Sequence, residues 1–353
     1  MSDLRIAMIG AGAFGRKHID VVAAVPGFAL AGVADPSPAA RELAERLGVL
    51  WQADPEALLA AVRPDGAIVA TPNAFHLENG LACLRAGVPV LVEKPVAETP
   101  EAGAELAAAA DETGVPLLVG HHRRHNPILE TAKAALEEGR IGRPVAVHLS
   151  WLVRKPESYF EVAWRRTAGG GPVLINLVHE IDALRFVVGE IAAVRALTSS
   201  ALRGYPVEDT AAIALRFTGG ALGTVIVSDA VEAPWSWELT SGENPMYPRE
   251  PAENGLIAGT EGSLSLPHLD LWKHVARPGI ERGWTAPMAR ERLPVPPGDA
   301  YQRQLRHFGR VICGEAAPRV TARDATRTLA VCLAVHESAR SGREVALDEA
   351  AVL

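Results

Sequence analysis

Short apolar runs alternate with amphipathic stretches through the first third of the chain, and most junctions carry a proline or glycine stop. Arg5–Ile9 reads as a strand and residues 14–25 as a helix ended by Pro26-Gly27, because proline cannot continue a helix. Phe28–Ala34 is a second strand, and Ala39–Leu47 a helix closed by Gly48. Ala67–Ala70 then reads as a strand, His76–Ala86 as a helix, Val88–Val92 as a strand, Pro100–Thr113 as a helix and Pro116–Gly120 as a fifth strand. Strands separated by helices of this length form right-handed parallel βαβ units. Their runs are continuously apolar rather than alternating, which fits a sheet covered on both faces. The expectation is a doubly wound parallel α/β domain over residues 1–120.

The first strand runs directly into Gly10-Ala11-Gly12-Ala13-Phe14-Gly15, and a helix follows. In that setting Gly10 permits the tight turn, Gly12 lets a pyrophosphate approach the backbone and Gly15 lets helix and strand pack closely. The helix N-terminus offers N–H groups and a favourable dipole to phosphate. This is a Rossmann signature. Asp35 ends the second strand, 20 residues after Gly15, where a carboxylate accepts hydrogen bonds from ribose hydroxyls and repels a 2′-phosphate. NAD is therefore expected in preference to NADP. Taken alone, Asp35 before Pro36 also reads as a turn or helix-cap residue. Thr71-Pro72-Asn73 and His76 follow the third strand and are candidates for cofactor contact, with helix capping by Thr71 or Asn73 the structural alternative.

After residue 120 the texture changes. A helix is expected over Ile128–Glu138 and a turn over 139–144. Strands are expected at Val145–Val153, Ala192–Ala201, Thr210–Phe217, Ala221–Ala230 and Trp237–Thr240. Val173–Val188 is the main helix among them. Thr218-Gly219-Gly220 joins two of the strands as a hairpin. A mostly antiparallel sheet follows from such strands. The second, α+β domain is placed at 121–321, with late helices at Ala300–Cys313 and Ala322–Ser341, the last a candidate to pack back on the first domain. The Pro-, Arg- and Gly-rich stretch 277–297 reads as a long loop.

A chain of 353 residues suits two domains, and a formal net charge of −7 with interspersed signs gives no reason to expect nucleic acid as partner. The cysteines Cys83, Cys313 and Cys332 form no CxxC pair and no metal-spaced set, which suits a reducing cytosol. The start, MSDLRIAMIG, is not a signal peptide, and no apolar run is long enough to span a bilayer. A cytoplasmic protein with no membrane partner and no catalytic metal is expected.

The fourth strand ends in Glu93-Lys94-Pro95. With this motif the chain resembles the glucose–fructose oxidoreductase/inositol dehydrogenase family (Gfo/Idh/MocA) over nearly its whole length. The resemblance rests on the N-terminal glycines, Asp35, residues 71–76, Glu93-Lys94-Pro95, Gly169-Gly170-Gly171, His179 with Asp182, and Gly259-Thr260-Glu261-Gly262, in this order. It implies a Rossmann domain followed by an open-faced β-sheet domain that mediates a homodimer or homotetramer. It implies that Glu93, Lys94 and Pro95 lie at the nicotinamide end of the cofactor. It implies that Lys94 catalyses or orients substrate, its ammonium stabilising charge on the reacting oxygen.

It implies further that His179 relays the proton, a task suited to a near-neutral imidazole. Read as a helix, Asn176 and His179 lie at i and i+3 on one face, with Leu177, Val178, Ile181 and Leu184 packing inward. Inositol dehydrogenases of the family carry Asp four residues before the histidine, and here Ile175 stands there, which puts inositol itself in doubt. Asn176 is the adjacent polar candidate for a substrate hydroxyl, and Asp182 reads mainly as a structural hydrogen-bond partner. His122 and Arg123, in the donor-rich segment 120–127, are candidate substrate contacts, and Arg123 hints at an acidic or highly hydroxylated substrate. The plain alternative for that segment is a surface turn. Trp164 and Arg165 are further substrate candidates, as aromatic faces stack on sugar rings, although such residues more often serve core or interface.

The resulting expectation is an NAD-dependent oxidoreductase acting on a CH–OH carbon of a sugar, polyol or sugar acid. The alternatives are a relative that retains NAD through glycoside cleavage, an imine reductase, and a non-catalytic NAD sensor on the same scaffold.

Overall fold

A computed structural model describes residues 3–275 and 281–347. The first half comprises β1 (Leu4–Ile9), α1 (Ala13–Ala24), β2 (Phe28–Ala34), α2 (Pro38–Leu47), β3 (Leu50–Gln52), α3 (Pro55–Val62), β4 (Gly66–Val69), α4 (His76–Arg85), β5 (Val90–Val92), α5 (Pro100–Thr113), β6 (Leu117–Val119) and α6 (Pro127–Glu137). There follow β7 (Pro144–Leu152), α7 (Val178–Val187), β8 (Ile191–Ser199), β9 (Thr210–Phe217), β10 (Leu222–Ser228), α8 (Trp237–Thr240), β11 (Gly255–Gly259), β12 (Ser263–Leu266), β13 (Asp270–His274), β14 (Met288–Arg292), α9 (Ala300–Ile312), α10 (Ala322–Ser341) and β15 (Val345–Ala346).

The elements divide into two compact units. The first holds the described residues up to 125 together with 298–329, and the second holds 126–297 and 330–347. α10 begins in the first unit and ends in the second.

In the first unit six parallel strands run in the order β3-β2-β1-β4-β5-β6. The order reverses between β1 and β4, which creates the crevice where open α/β sheets take ligands. Register sets the ends of the strands level: Ile9 pairs with both Ala34 and Val69. Gly10, Asp35 and Ala70 are therefore brought to one edge. The helices are started by local chemistry. Ser37, Asp54 and Thr99 each cap a helix whose first turn carries proline. The expectation of five strands missed β3 and α3. β3 is only three residues long, too short to show a period.

In the second unit nine strands run β14-β13-β12-β11-β7-β10-β9-β8-β15. Only β7 and β10 pair in parallel, and the remainder are antiparallel. One face packs Val147, Ile213, Val225 and Ile257 against Leu129 of α6, Ile181 of α7 and Val335 of α10. On the alternate positions Leu197, Leu222 and Leu256 are exposed.

Two sequence expectations are corrected here. Trp237–Thr240 is a helical turn, not a strand, because Ser236 caps it by accepting from the Leu239 N–H. The expected loop at 277–297 contains β14, an exposed strand paired with β13; residues 277–280 of it lie outside the described residues. No helix among the described residues is long and apolar enough to cross a membrane.

Candidate active site

The glycine turn is built by steric exclusion. Gly10 has φ +91°, and a Cβ there would lie 2.7 Å from the Ala70 carbonyl carbon. A Cβ on Gly15 would lie 2.0 Å from the Gly10 oxygen, so α1 can start against β1 only with glycine at this position. Gly12 is the N-cap of α1 and no side chain caps it, while a Cβ on Gly12 would meet nothing within 4 Å. Gly12, Ala13 and Phe14 are exposed there. The first turn therefore presents N–H groups to open space, as a pyrophosphate requires.

Asp35 faces the same turn. Its Oδ2 accepts from the Ala11 N–H at 2.8 Å and its Oδ1 from the Ser37 N–H at 2.8 Å. Burial raises its pKa, but these bonds and the charge of Arg16 outweigh it and hold the carboxyl below its usual value. The helix cap proper is Ser37. Asp35 thus makes its local turn and keeps an ionised carboxylate beside the glycine turn, with lone pairs to spare for ribose hydroxyls.

Beyond β4, Thr71 and Asn73 cap neither the short 3₁₀ turn Asn73–Phe75 nor α4. Thr71 Oγ1 instead accepts from Asn79 at 3.2 Å. His76 is buried, with Nε2 2.9 Å from the Thr71 carbonyl and Nδ1 2.8 Å from that of Pro95. Its ring ties the segment after β4 to the segment after β5. Burial lowers its pKa, against the two carbonyls that favour the charged ring.

Glu93 is buried, and its Oε1 lies 2.8 Å from Nε2 of buried His18 on α1. Its Oε2 accepts from the Lys94 N–H at 3.0 Å. Burial would raise its pKa, yet the bond and charge of His18, with the charges of Lys94 and His122, lower it to about 2. Glu93 is thus a fixed anion that pins the backbone of Lys94 to α1. The Lys94 ammonium lies 5.5 Å from the centre of the half-exposed Phe14 ring, on the helix that the glycine turn opens. Lys94 therefore lies beside the helix that the glycine turn opens.

The 121–125 segment is wholly buried rather than a surface turn. Arg124 makes a two-pronged contact with Asp324 of α10 at 2.5 and 3.2 Å. Arg303 and Arg319 donate to the carbonyls of His125 and Arg124. His122 stacks on Tyr301 of α9 at 4.2 Å, and Lys17 lies 3.6 Å over the same ring. Burial, then Arg319 and neighbouring histidines, push the His125 pKa down to about 2.

In the second unit, Val173–Leu177 forms a π turn leading into α7. This corrects the regular helical spacing expected for Asn176 and His179, since a wider turn separates their directions differently. Leu177, Val178, Ile181 and Leu184 are buried as expected, and Asp182 is buried with them. His179 is half-buried on the first turn of α7. Asn176 Oδ1 accepts from the Lys155 ammonium at 2.8 Å, and Asp229 Oδ2 lies 3.2 Å from the same ammonium. Burial lowers the Lys155 pKa and raises that of Asp229. Arg203 lies 3.4 Å from the other Asp229 oxygen. Tyr159 receives two cations: Arg165 over its ring at 4.0 Å and Lys155 at 4.7 Å. Trp164 is exposed beside Arg165, whereas Trp237 is core and donates to Glu243.

Lys155, Tyr159 and Asp229 were missed by the sequence reading. The available signal was a second Lys-Pro dipeptide, Lys155-Pro156, just after a strand end, like Lys94-Pro95. Nothing in the sequence shows that Asp229, beyond β10, meets it.

Both halves of the chain are similar to known proteins. Residues 4–121 match the oxidoreductase family, NAD-binding Rossmann fold, and residues 133–347 match the oxidoreductase family, C-terminal alpha/beta domain. A 1,5-anhydro-D-fructose reductase of Ensifer adhaerens is 32% identical over 80% of this chain and 80% of its own. An inositol 2-dehydrogenase of Saccharopolyspora erythraea is 31% identical over 96% of this chain and 94% of its own. Among solved structures, the WlbA dehydrogenase of Bordetella pertussis, in complex with NADH and UDP-GlcNAcA, superposes with a TM-score of 0.79 at 26% identity, covering 98% of this chain and 99% of that one. With both halves matched in order and the glycine turn, strand-end lysine and histidine helix in place, the chain belongs to the Gfo/Idh/MocA family of NAD-binding oxidoreductases.

Proposed function

We propose that this protein is an NAD(H)-dependent dehydrogenase that interconverts a secondary alcohol and a ketone on a sugar, polyol or sugar acid. The observation that carries the reading is the Lys94 ammonium, 5.5 Å from the Phe14 ring at the opening turn of α1. It puts a cation beside the turn whose free N–H groups and ionised Asp35 suit a dinucleotide. The names of the relatives, a sugar reductase and an inositol dehydrogenase, support the substrate class.

Gly10, Gly12, Ala13, Phe14 and Gly15 would hold the pyrophosphate, Asp35 the adenosine ribose, and residues 71–73 with 93–95 the remainder of the dinucleotide. Bound nicotinamide supplies the acceptor for a hydride from the substrate carbon. In the oxidative direction that carbon loses two electrons with its hydride, and its hydroxyl loses a proton. Lys94 donates to the reacting oxygen and stabilises the negative charge that builds there. His179 accepts the hydroxyl proton. Asn176, Trp164, Arg165, His122 and Arg123 are assigned to substrate orientation, His122 and Arg123 from within a buried segment. Asp35 supports NAD over NADP, because an anion opposes a 2′-phosphate. The exposed Leu197, Leu222 and Leu256 on the open sheet face support a homodimer or homotetramer, and three unbridged cysteines support a cytoplasmic setting.

The test is NADH formation on mixing the protein with NAD⁺, and separately NADP⁺, across inositols, aldoses, polyols and sugar acids. Turnover with NAD⁺ that is lost in Lys94→Ala supports the reading. Absence of turnover on every compound, with NADH still bound, refutes it.

A further inference from the structure

Three nitrogen-bearing side chains of the second unit have donors left over after their contacts are counted. Lys155 has three N–H bonds; Asn176 Oδ1 takes one and Asp229 the second. Because Asn176 spends its carbonyl oxygen on Lys155, its amide nitrogen is left for another acceptor. That nitrogen has no acceptor among the described residues. Arg165 gives one N–H to the Tyr159 carbonyl at 2.9 Å, and its Nε is buried without a partner among the described residues. Lys155 and Arg165 both lie within 5 Å of the centre of the Tyr159 ring.

Each carboxylate nearby already has a partner. Asp229 is shared by Lys155 and Arg203. Glu238 takes the Trp151 indole N–H at 2.7 Å. Glu157 is exposed and lies 3.3 Å from Arg203. Position 175, next to Asn176, is isoleucine and supplies no acceptor. Among these groups, the hydrogen-bonding atoms left unspent on Lys155, Asn176 and Arg165 are all donors. A neutral polyol needs acceptors as well as donors around its hydroxyls, whereas a carboxylate is acceptor-only and takes donors alone.

We propose that Lys155, Arg165 and Asn176 form a carboxylate subsite, three residues before His179 in the case of Asn176, so that the alcohol taken by this protein is a hydroxy acid or sugar acid rather than a neutral polyol. Asn176 contacts the acid group, and Lys155 both contacts it and fixes the orientation of the Asn176 amide. The inference rests on the dehydrogenase reading above and narrows its substrate.

It is tested by binding, apart from turnover. Protein loaded with NADH is titrated with hydroxy acids and sugar acids of four to six carbons, and with the matching neutral alcohols, following tryptophan fluorescence. At least one acid is expected to bind about tenfold or more tighter than its neutral partner. Lys155→Met and Asn176→Asp are expected to weaken that acid by about tenfold or more, with Lys155→Arg recovering part of the loss. NADH affinity and the melting temperature of Asn176→Asp, a near-isosteric change, are the folding controls. Neutral alcohols that bind as well as the acids, acids that bind Asn176→Asp unchanged, or a panel in which no acid binds would each overturn the subsite. Acid binding that needs Lys155 without any NADH formation would leave the subsite standing and remove the dehydrogenase reading. Turnover of neutral polyols unaffected by Lys155→Met would do the reverse.

Discussion

The Asp35 carboxylate and the Ala11 backbone are joined by a 2.8 Å hydrogen bond across 24 residues of sequence. One anion thereby closes the turn after β2 and braces the glycine turn after β1. On the proposed reading the same side chain also sets the cofactor preference, so a substitution there would act on both.

If Asp35 selects the cofactor as proposed, Asp35→Ser removes the charge that would oppose a 2′-phosphate and the acceptor for the ribose. Charged hydrogen bonds of this kind contribute about 1.5–3 kcal/mol, so kcat/KM with NAD⁺ should fall about ten- to a hundredfold. Activity with NADP⁺ should rise. Steady-state kinetics with both cofactors measures the ratio, and an unchanged ratio would remove Asp35 from cofactor selection.

Lys94→Ala should reduce kcat by a hundredfold or more, roughly the scale of a lost charge stabiliser, with NADH affinity nearly preserved. His179→Ala should cost about a hundredfold in the rate of hydride transfer. Stopped-flow hydride transfer separates these effects from slow product release. A His179→Ala protein with an unaltered rate of hydride transfer would mean that the proton leaves by another route.

Glu93 makes a stability prediction. Its folded pKa, about 2, lies below its unfolded value of 4.5. The ionised group therefore stabilises the fold fully above about pH 4.5, and that contribution fades as pH falls towards 2. The shift corresponds to about 3 kcal/mol at neutral pH. Glu93→Gln should melt well below the parent near pH 7, and the gap should narrow below about pH 4.5 and close near pH 2. A gap that is constant with pH would mean that packing, not charge, is what the substitution disturbs.

Gly15→Ala tests the packing of the turn. The added Cβ would sit 2.0 Å from a backbone oxygen that cannot rotate away. A loss of roughly 1–3 kcal/mol is expected, together with weakened NADH binding, because the first turn of α1 must shift. Urea denaturation and NADH fluorescence report the two effects, and Gly12→Ala, where the added methyl meets no protein atom, is the contrast.

Much of the first unit was legible because its signals are local. Apolar runs, glycines and prolines place β1, α1, β2, α2 and α5 within a residue or two of their observed bounds. β3 was not legible, since three residues carry no period, and neither were β11 to β15, whose strands are short and partly charged. Trp237–Thr240 has the composition of a strand and is helical because one serine caps it. The buried 121–125 segment misled for a related reason: histidines and arginines suggest solvent until Asp324, Arg303, Arg319 and Tyr301 are seen to pack on them.

The sequence by itself determined the cofactor half, because a glycine turn, its following helix and the acidic end of the next strand lie within one βαβ unit and obey short-range sterics. Only the tertiary structure decided how Glu93 is held by His18, 75 residues away, and how Lys155 meets Asn176 and Asp229. Those contacts join residues from separate strands and helices. Their energies come from burial and charge pairing, which exist only once the sheet register has brought the elements together.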